Sequence, residues 1–148
     1  MSGDERAVPT GPTVRVLVYS DDRNTREQVR FAVGKRPDSQ LPTFEFVECA
    51  THEAVLAQVD RGAADRLDVL VMDGEAVPSG GMGLCRQLKD EIYRCPPVLL
   101  LTGRPQDAWL ATWSRADAVV PHPLDPMAIT DAVVSLVVKR RGSELARA

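Results

Sequence analysis

Three aspartates stand where runs of apolar residues give out. Asp73 closes Val69-Leu70-Val71-Met72, and Asp21 and Asp22 follow Val16-Leu17-Val18-Tyr19-Ser20. Carboxylates gathered at one crevice repel each other and are costly to desolvate, so their convergence calls for a cation, a proton or open water. Magnesium suits such a set, being a hard ion that takes one or two carboxylates and keeps several waters for a phosphate. With charge on an incoming phosphoryl group offset in that way, an aspartate oxygen can attack phosphorus, and Asp73 is the candidate nucleophile. Thr102, at the end of the apolar run Val98 to Leu101, is a candidate hydrogen-bond donor to a phosphoryl oxygen. Each acid also has a plainer use: Asp22 or Asp73 could cap the helix that follows it.

The elements that must position these groups follow from the apolar pattern. Runs without alternation, such as 69–72 and 98–101, read as strands covered on both faces, as in a parallel sheet between helix layers. A first strand begins at Val14, and Asn24 with Glu27 three residues on has capping-box spacing for a helix up to Gly34. Phe44, Phe46 and Val47 make a short edge strand. Thr51 caps a second helix ending at Gly62. Leu84, Leu88 and Ile92, spaced by four, mark a third helix whose apolar stripe Cys85 widens. Asp107 caps a fourth helix carrying Trp109, Leu110 and Trp113. Ala118 to Val120 is a fifth strand, closing on Pro121-His122-Pro123. Asp125 and Pro126 open the last helix, which frays at Lys139-Arg140-Arg141. Five successive β-α units with right-handed crossovers predict an α/β fold: a single flavodoxin-like, doubly wound, five-stranded parallel sheet in the order 2-1-3-4-5, with helices on both faces. In that order Asp21, Asp22 and Asp73 meet at the carboxyl ends of neighbouring strands.

Composition bounds the function. The chain has 148 residues, 44% hydrophobic and 26% charged, and a net charge of −3. One domain is expected, and bulk charge argues against a nucleic-acid binder. The expected division is a disordered tail over 1–13, a folded domain over 14–141 and a C-terminal tail over 142–148. The three cysteines, Cys49, Cys85 and Cys95, fit neither a disulfide framework nor a zinc spacing. Met1 to Thr13 has no apolar h-region, and no apolar run approaches the ~20 residues that span a bilayer. Neither secretion nor direct membrane insertion is expected; the expected location is the cytoplasm, or peripheral attachment to a membrane-bound complex.

The acid pair Asp21-Asp22 after strand one, Asp73 after strand three, Thr102 after strand four and His122-Pro123 after strand five form a pattern. It resembles the receiver domain of two-component response regulators from about Val14 to Arg141. The resemblance implies that Asp73 is the phosphoacceptor for a histidine kinase, that Asp21, Asp22 and Asp73 bind Mg2+, and that Thr102 is the switch hydroxyl. It implies no organic cofactor, and a partner surface on the face made by helix four, strand five and helix five.

Departures from the pattern shift the functional expectation. Where the family has lysine before the proline this chain has His122, which is shorter and loses most of its charge near neutral pH. Beside Asp73 a protonated His122 could form an ion pair that mimics an occupied pocket; the plainer reading is a histidine held between prolines with no role. Pro78 lies five residues after Asp73 where the family usually has its proline four after, and Gly83 is expected to begin the third helix. Val119 stands where the family has its aromatic switch. Trp109 and Trp113, one turn apart on helix four, read as partner-interface anchors with at least one turned outward.

The expectation is an atypical stand-alone receiver, not an enzyme, acting as a protein-docking or regulatory pseudo-receiver. The chain is also similar to stand-alone mycobacterial receivers encoded with the respiratory NADH dehydrogenase, which makes that assembly a candidate partner and an accessory-subunit role the expectation. The alternative is a working phosphorelay receiver modified on Asp73. A haloacid-dehalogenase-type phosphatase would need an aspartate where Glu75 stands, and a flavin protein would need a Ser/Thr-rich loop after strand one.

Overall fold

The computed structural model describes residues 12–60, 66–76, 80–104 and 109–147. Its elements are β1 (Thr13–Tyr19), α1 (Arg23–Val33), β2 (Thr43–Cys49), α2 (His52–Asp60), β3 (Val69–Asp73), α3 (Gly81–Glu91), β4 (Val98–Thr102), α4 (Trp109–Ser114), β5 (Ala118–Pro121) and α5 (Pro126–Arg147). The strands form one five-stranded sheet in the order β2-β1-β3-β4-β5, parallel throughout. This is the doubly wound arrangement that the unbroken apolar runs predict.

Alternation along each strand sorts the core into two layers. Val14, Val16, Val18, Val69, Val71, Leu99 and Leu101 point to one face, where Val29 and Val33 of α1 and Ile129, Val133 and Val137 of α5 cover them. Leu17, Tyr19, Leu70, Met72, Val98 and Leu100 point to the other, against Val55 and Val59 of α2 and Leu84, Cys85 and Leu88 of α3. Every residue of β3 and β4 is buried, which is why neither run shows a polar alternate. The sheet is therefore a fixed platform, and the residues just past its carboxyl edge are held by the register of the strands below them.

At the opposite edge, Asp68 is fully buried and is met by Arg141 of α5, whose Nε and Nη2 donate to the two carboxylate oxygens at 2.7 and 3.2 Å. The amide of Arg15 adds a third donor at 3.0 Å, and Arg141 Nη2 also reaches the Thr13 carbonyl. A buried charge tolerates desolvation only with such paired and hydrogen-bonded partners. The contact ties the last helix to β1 and to the entry of β3.

Several boundaries differ from the sequence reading. The cap of α1 is Asp22, whose side chain accepts from the amide of Asn24; Asn24 is already inside the helix, and Glu27 pairs with Arg23 instead of closing a capping box. β2 is longer than the apolar core Phe44 to Val47, because its ladder with β1 runs from Thr43 to Cys49. α3 starts at Gly81, not Gly83, because the chain there lies against β3: a Cβ on Gly81 would sit 2.7 Å from the Asp73 carbonyl oxygen. α5 does not fray at Arg141 but continues to Arg147. One helical glycine, Gly142, costs only about 1 kcal/mol, and Glu144, Leu145, Ala146 and Arg147 are good helix formers. The Thr51 and Asp125 caps are as expected, donated to by the amides of Ala54 and Ala128, each at 3.0 Å. The readings placed on residues 1–11, Gly62, Pro78, Asp107, the Leu110 side chain and Ala148 lie outside the described residues.

Candidate functional site

Tyr19 pairs with Met72 across the β1–β3 ladder, so the next residues, Ser20 and Asp73, stand side by side. Ser20 is fully buried and Asp73 is 3% exposed. The Ser20 hydroxyl donates to Asp73 Oδ2 at 2.7 Å, and Ser20 Oγ itself accepts the amide of Asp22 at 3.0 Å. With a lone pair taken by that amide, the single hydroxyl proton is left for the carboxylate. Asp73 Oδ1 accepts the Glu75 amide at 2.9 Å and lies 3.6 Å from His122 Nε2. Both carboxylate oxygens are thus engaged by the chain's own donors.

The neighbours of this pair are held in turn. The Ser20 amide donates to the Cys49 carbonyl at 3.1 Å, and its carbonyl accepts Arg26 Nη1 at 2.7 Å. Arg26 is fixed by Glu48 of β2 at 2.9 Å. His122 is tethered to the sheet through its amide, which donates to the Thr102 carbonyl at 2.7 Å. The Thr102 hydroxyl and His122 Nε2 are both buried atoms with no hydrogen-bond partner among the described residues. The Tyr19 phenol is held above its ordinary pKa, first by burial and then by the nearby charges of Asp21, Asp73 and Glu53.

Asp21, Asp22, Asp73, Glu75 and His122 line an open cavity of about 490 Å³ together with Thr25, Gln28 and Gly103. The three predicted acids therefore reach one cavity, but not in equivalent roles. Asp22 is committed to capping α1: Oδ1 accepts the Asn24 amide at 2.9 Å and Oδ2 the Thr25 hydroxyl at 3.4 Å. Glu75 swings over the β4 exit, where a Cβ on Gly103 would lie 2.6 Å from its carboxyl group. Sequence reasoning passed over Ser20. The signal was present, since it is the first polar residue after β1 as Asp73 is after its own apolar run.

The tryptophans lie on the far side of the sheet from α1. Trp109 is 69% exposed and Trp113 48%, so both are turned outward. The Arg86 guanidinium of α3 stacks 5.0 Å over the Trp113 ring and donates to the Trp113 carbonyl at 2.8 Å, so that ring has a partner while Trp109 is the barer of the two. Val119 is half-buried and packs on the α2–α3 side of the core.

The chain is 54% identical over 124 residues to an uncharacterized response regulatory protein of Mycobacterium tuberculosis, covering 84% of this chain and 91% of that one. The chain belongs to the response-regulator receiver family. It is also 38% identical over 95 residues to the response regulator MprA of Mycobacterium bovis, covering 62% of this receiver but 36% of that longer protein. Among solved structures it is similar to the receiver domain of the Francisella response regulator 1452, with a TM-score of 0.70 and 16% identity over 85% of this chain and 98% of that one. A response regulator receiver domain from Clostridium thermocellum matches with a TM-score of 0.70 and 19% identity, covering 86% and 97%. At such identities these two establish the fold alone. No protein-family model matches the chain.

Receiver domains are regulatory modules that generally bind Mg2+ for phosphorylation. The donor set here does not fit a firmly held cation. Asp22 turns both oxygens to the start of α1, a neutral hydroxyl stands beside Asp73, and among the described residues no three histidine, cysteine, aspartate or glutamate side chains group as metal ligands. No helix among the described residues is long and apolar enough to cross a membrane.

Proposed function

We propose that this receiver is an atypical, stand-alone one that works as a protein-docking or regulatory module, and that it serves as an accessory subunit of a larger assembly. The observation that carries the proposal is the outward tryptophan pair on α4. Aromatic rings of this size are the commonest anchors of protein interfaces, and their exposure to water without a partner is unfavourable. Val138 of α5 is a further exposed apolar side chain. The pocket supports the same reading, because Asp73 is satisfied by Ser20 and Glu75 without any ligand. Respiratory NADH dehydrogenase, a membrane-bound complex to which a cytoplasmic protein would attach peripherally, is the candidate partner. Co-purification with that enzyme from the native cell tests this: the wild-type chain is expected to remain with it and Trp109→Ala to be lost. Equal retention, or no association of either, would contradict the reading.

A second reading is a phosphorelay receiver modified on Asp73 by a histidine kinase. It is favoured by the Thr102 hydroxyl and His122 Nε2, two buried polar atoms that make no hydrogen bond among the described residues and that phosphoryl oxygens would satisfy. A phosphoryl adduct from a small phosphodonor, absent in Asp73→Asn, would establish it.

A further inference from the structure

The carboxylate of Asp73 is almost fully buried, and a buried charge persists only where something positive or hydrogen-bonding faces it. A bound divalent cation is one solution. This chain supplies another: the Ser20 hydroxyl at 2.7 Å on Oδ2 and the Glu75 amide at 2.9 Å on Oδ1. The hydroxyl is not free to turn away, because the Asp22 amide occupies its lone pair and Arg26 and the Cys49 carbonyl fix the backbone on either side of it.

We propose that Ser20 stands in for a cation beside Asp73, and that it is the residue that keeps the pocket from retaining Mg2+. Mg2+ affinity at an oxygen site rises with the number of charged ligands. A carboxylate at position 20 would face Asp73 across the distance the hydroxyl now spans, and with Asp21 on the same cavity wall would make a third charged ligand. Without a cation those acids would repel; with one they would chelate it. Serine removes both effects. It leaves Asp73 hydrogen-bonded, fixed in one orientation and indifferent to divalent ions. Asp22 is drawn to the start of α1, its two oxygens accepting from the amide of Asn24 and the hydroxyl of Thr25. The inference rests on reading the cavity as a receiver pocket that no longer works through a bound cation.

Calorimetric titration of MgCl2 into the 148-residue chain tests it. Ser20→Asp is expected to bind Mg2+ at least about tenfold more tightly than wild type, and its urea midpoint to rise when Mg2+ is added, while the wild-type midpoint stays where it is. Ser20→Ala is expected to lose the anchor on Asp73 without gaining affinity. Equal binding by wild type and Ser20→Asp overturns the proposal. Should Ser20→Asp not fold, the wild-type amide resonances of Asp73, Gly74 and Glu75 decide alone: no saturable movement on adding Mg2+ supports the proposal, and a saturable shift overturns it. Loss of docking in a tryptophan variant moves none of these readouts, so the docking role and the role of Ser20 can fail separately.

Discussion

Ser20 and Asp73 share a 2.7 Å hydrogen bond because Tyr19 and Met72 beneath them are paired in a parallel ladder. The bond is a consequence of register: the first polar residue after each of two neighbouring buried strands must meet the other. It places a neutral donor beside Asp73 in the cavity that Asp21, Asp22 and Asp73 line together, and there Asp22 also caps α1.

Asp22→Ala removes the acceptor of the Asn24 amide and is expected to destabilise the fold by about 1 kcal/mol, the usual loss for an N-cap acid. Urea denaturation measures it. A change near zero would mean that Asp22 does not hold the start of α1.

Arg141→Ala leaves Asp68 buried without its bidentate partner. Breaking a buried pair from one side costs about 3–5 kcal/mol, so this variant is expected to lose a large part of the domain's stability. An equilibrium unfolding curve close to that of wild type would contradict the clamp between α5 and the amino edge of the sheet.

Burial pushes the Cys85 thiol up to about 12, against an ordinary value of 9.0. The folded state therefore holds this proton after the unfolded chain has released it. The stability from Cys85 is fully present below about pH 9 and is lost as pH rises towards 12. Cys49 and Cys95, each raised to about 11 by burial, act in the same direction. Urea midpoints followed through this range are expected to fall less steeply in Cys85→Val than in wild type; equal slopes would show that Cys85 does not contribute.

The fold was legible because its central strands are buried on both faces: Val69 to Met72 and Val98 to Leu101 carry no polar residue to obscure them. The site was only half legible. Asp73 and Thr102 are visible as the polar residues that end those runs. Ser20, by contrast, is a small hydroxyl before two acids, and its role exists only through the register with β3. The end of α5 was misread for a different reason, since a glycine after three basic residues is a local stop signal. The start of α3 depended on how closely Gly81 can approach the Asp73 backbone, a tertiary contact that spacing does not encode.

Trp109→Ala and Trp113→Ala separate a docking surface from a folding one. Trp109 is 69% exposed, so its removal is expected to change the unfolding free energy by no more than about 0.5 kcal/mol while weakening partner retention. Trp113, under the Arg86 guanidinium, is expected to lose somewhat more stability through that cation–π contact. Substantial unfolding in Trp109→Ala would mean that the ring supports the core.

The docking role proposed for this receiver expects Asp73 to be a carboxylate satisfied by its own chain, not a reactive acceptor. Intact-mass measurement after incubation with a small phosphodonor and Mg2+ addresses it most directly. The unmodified mass is predicted for the wild-type chain; an added phosphoryl mass that disappears in Asp73→Asn would contradict it.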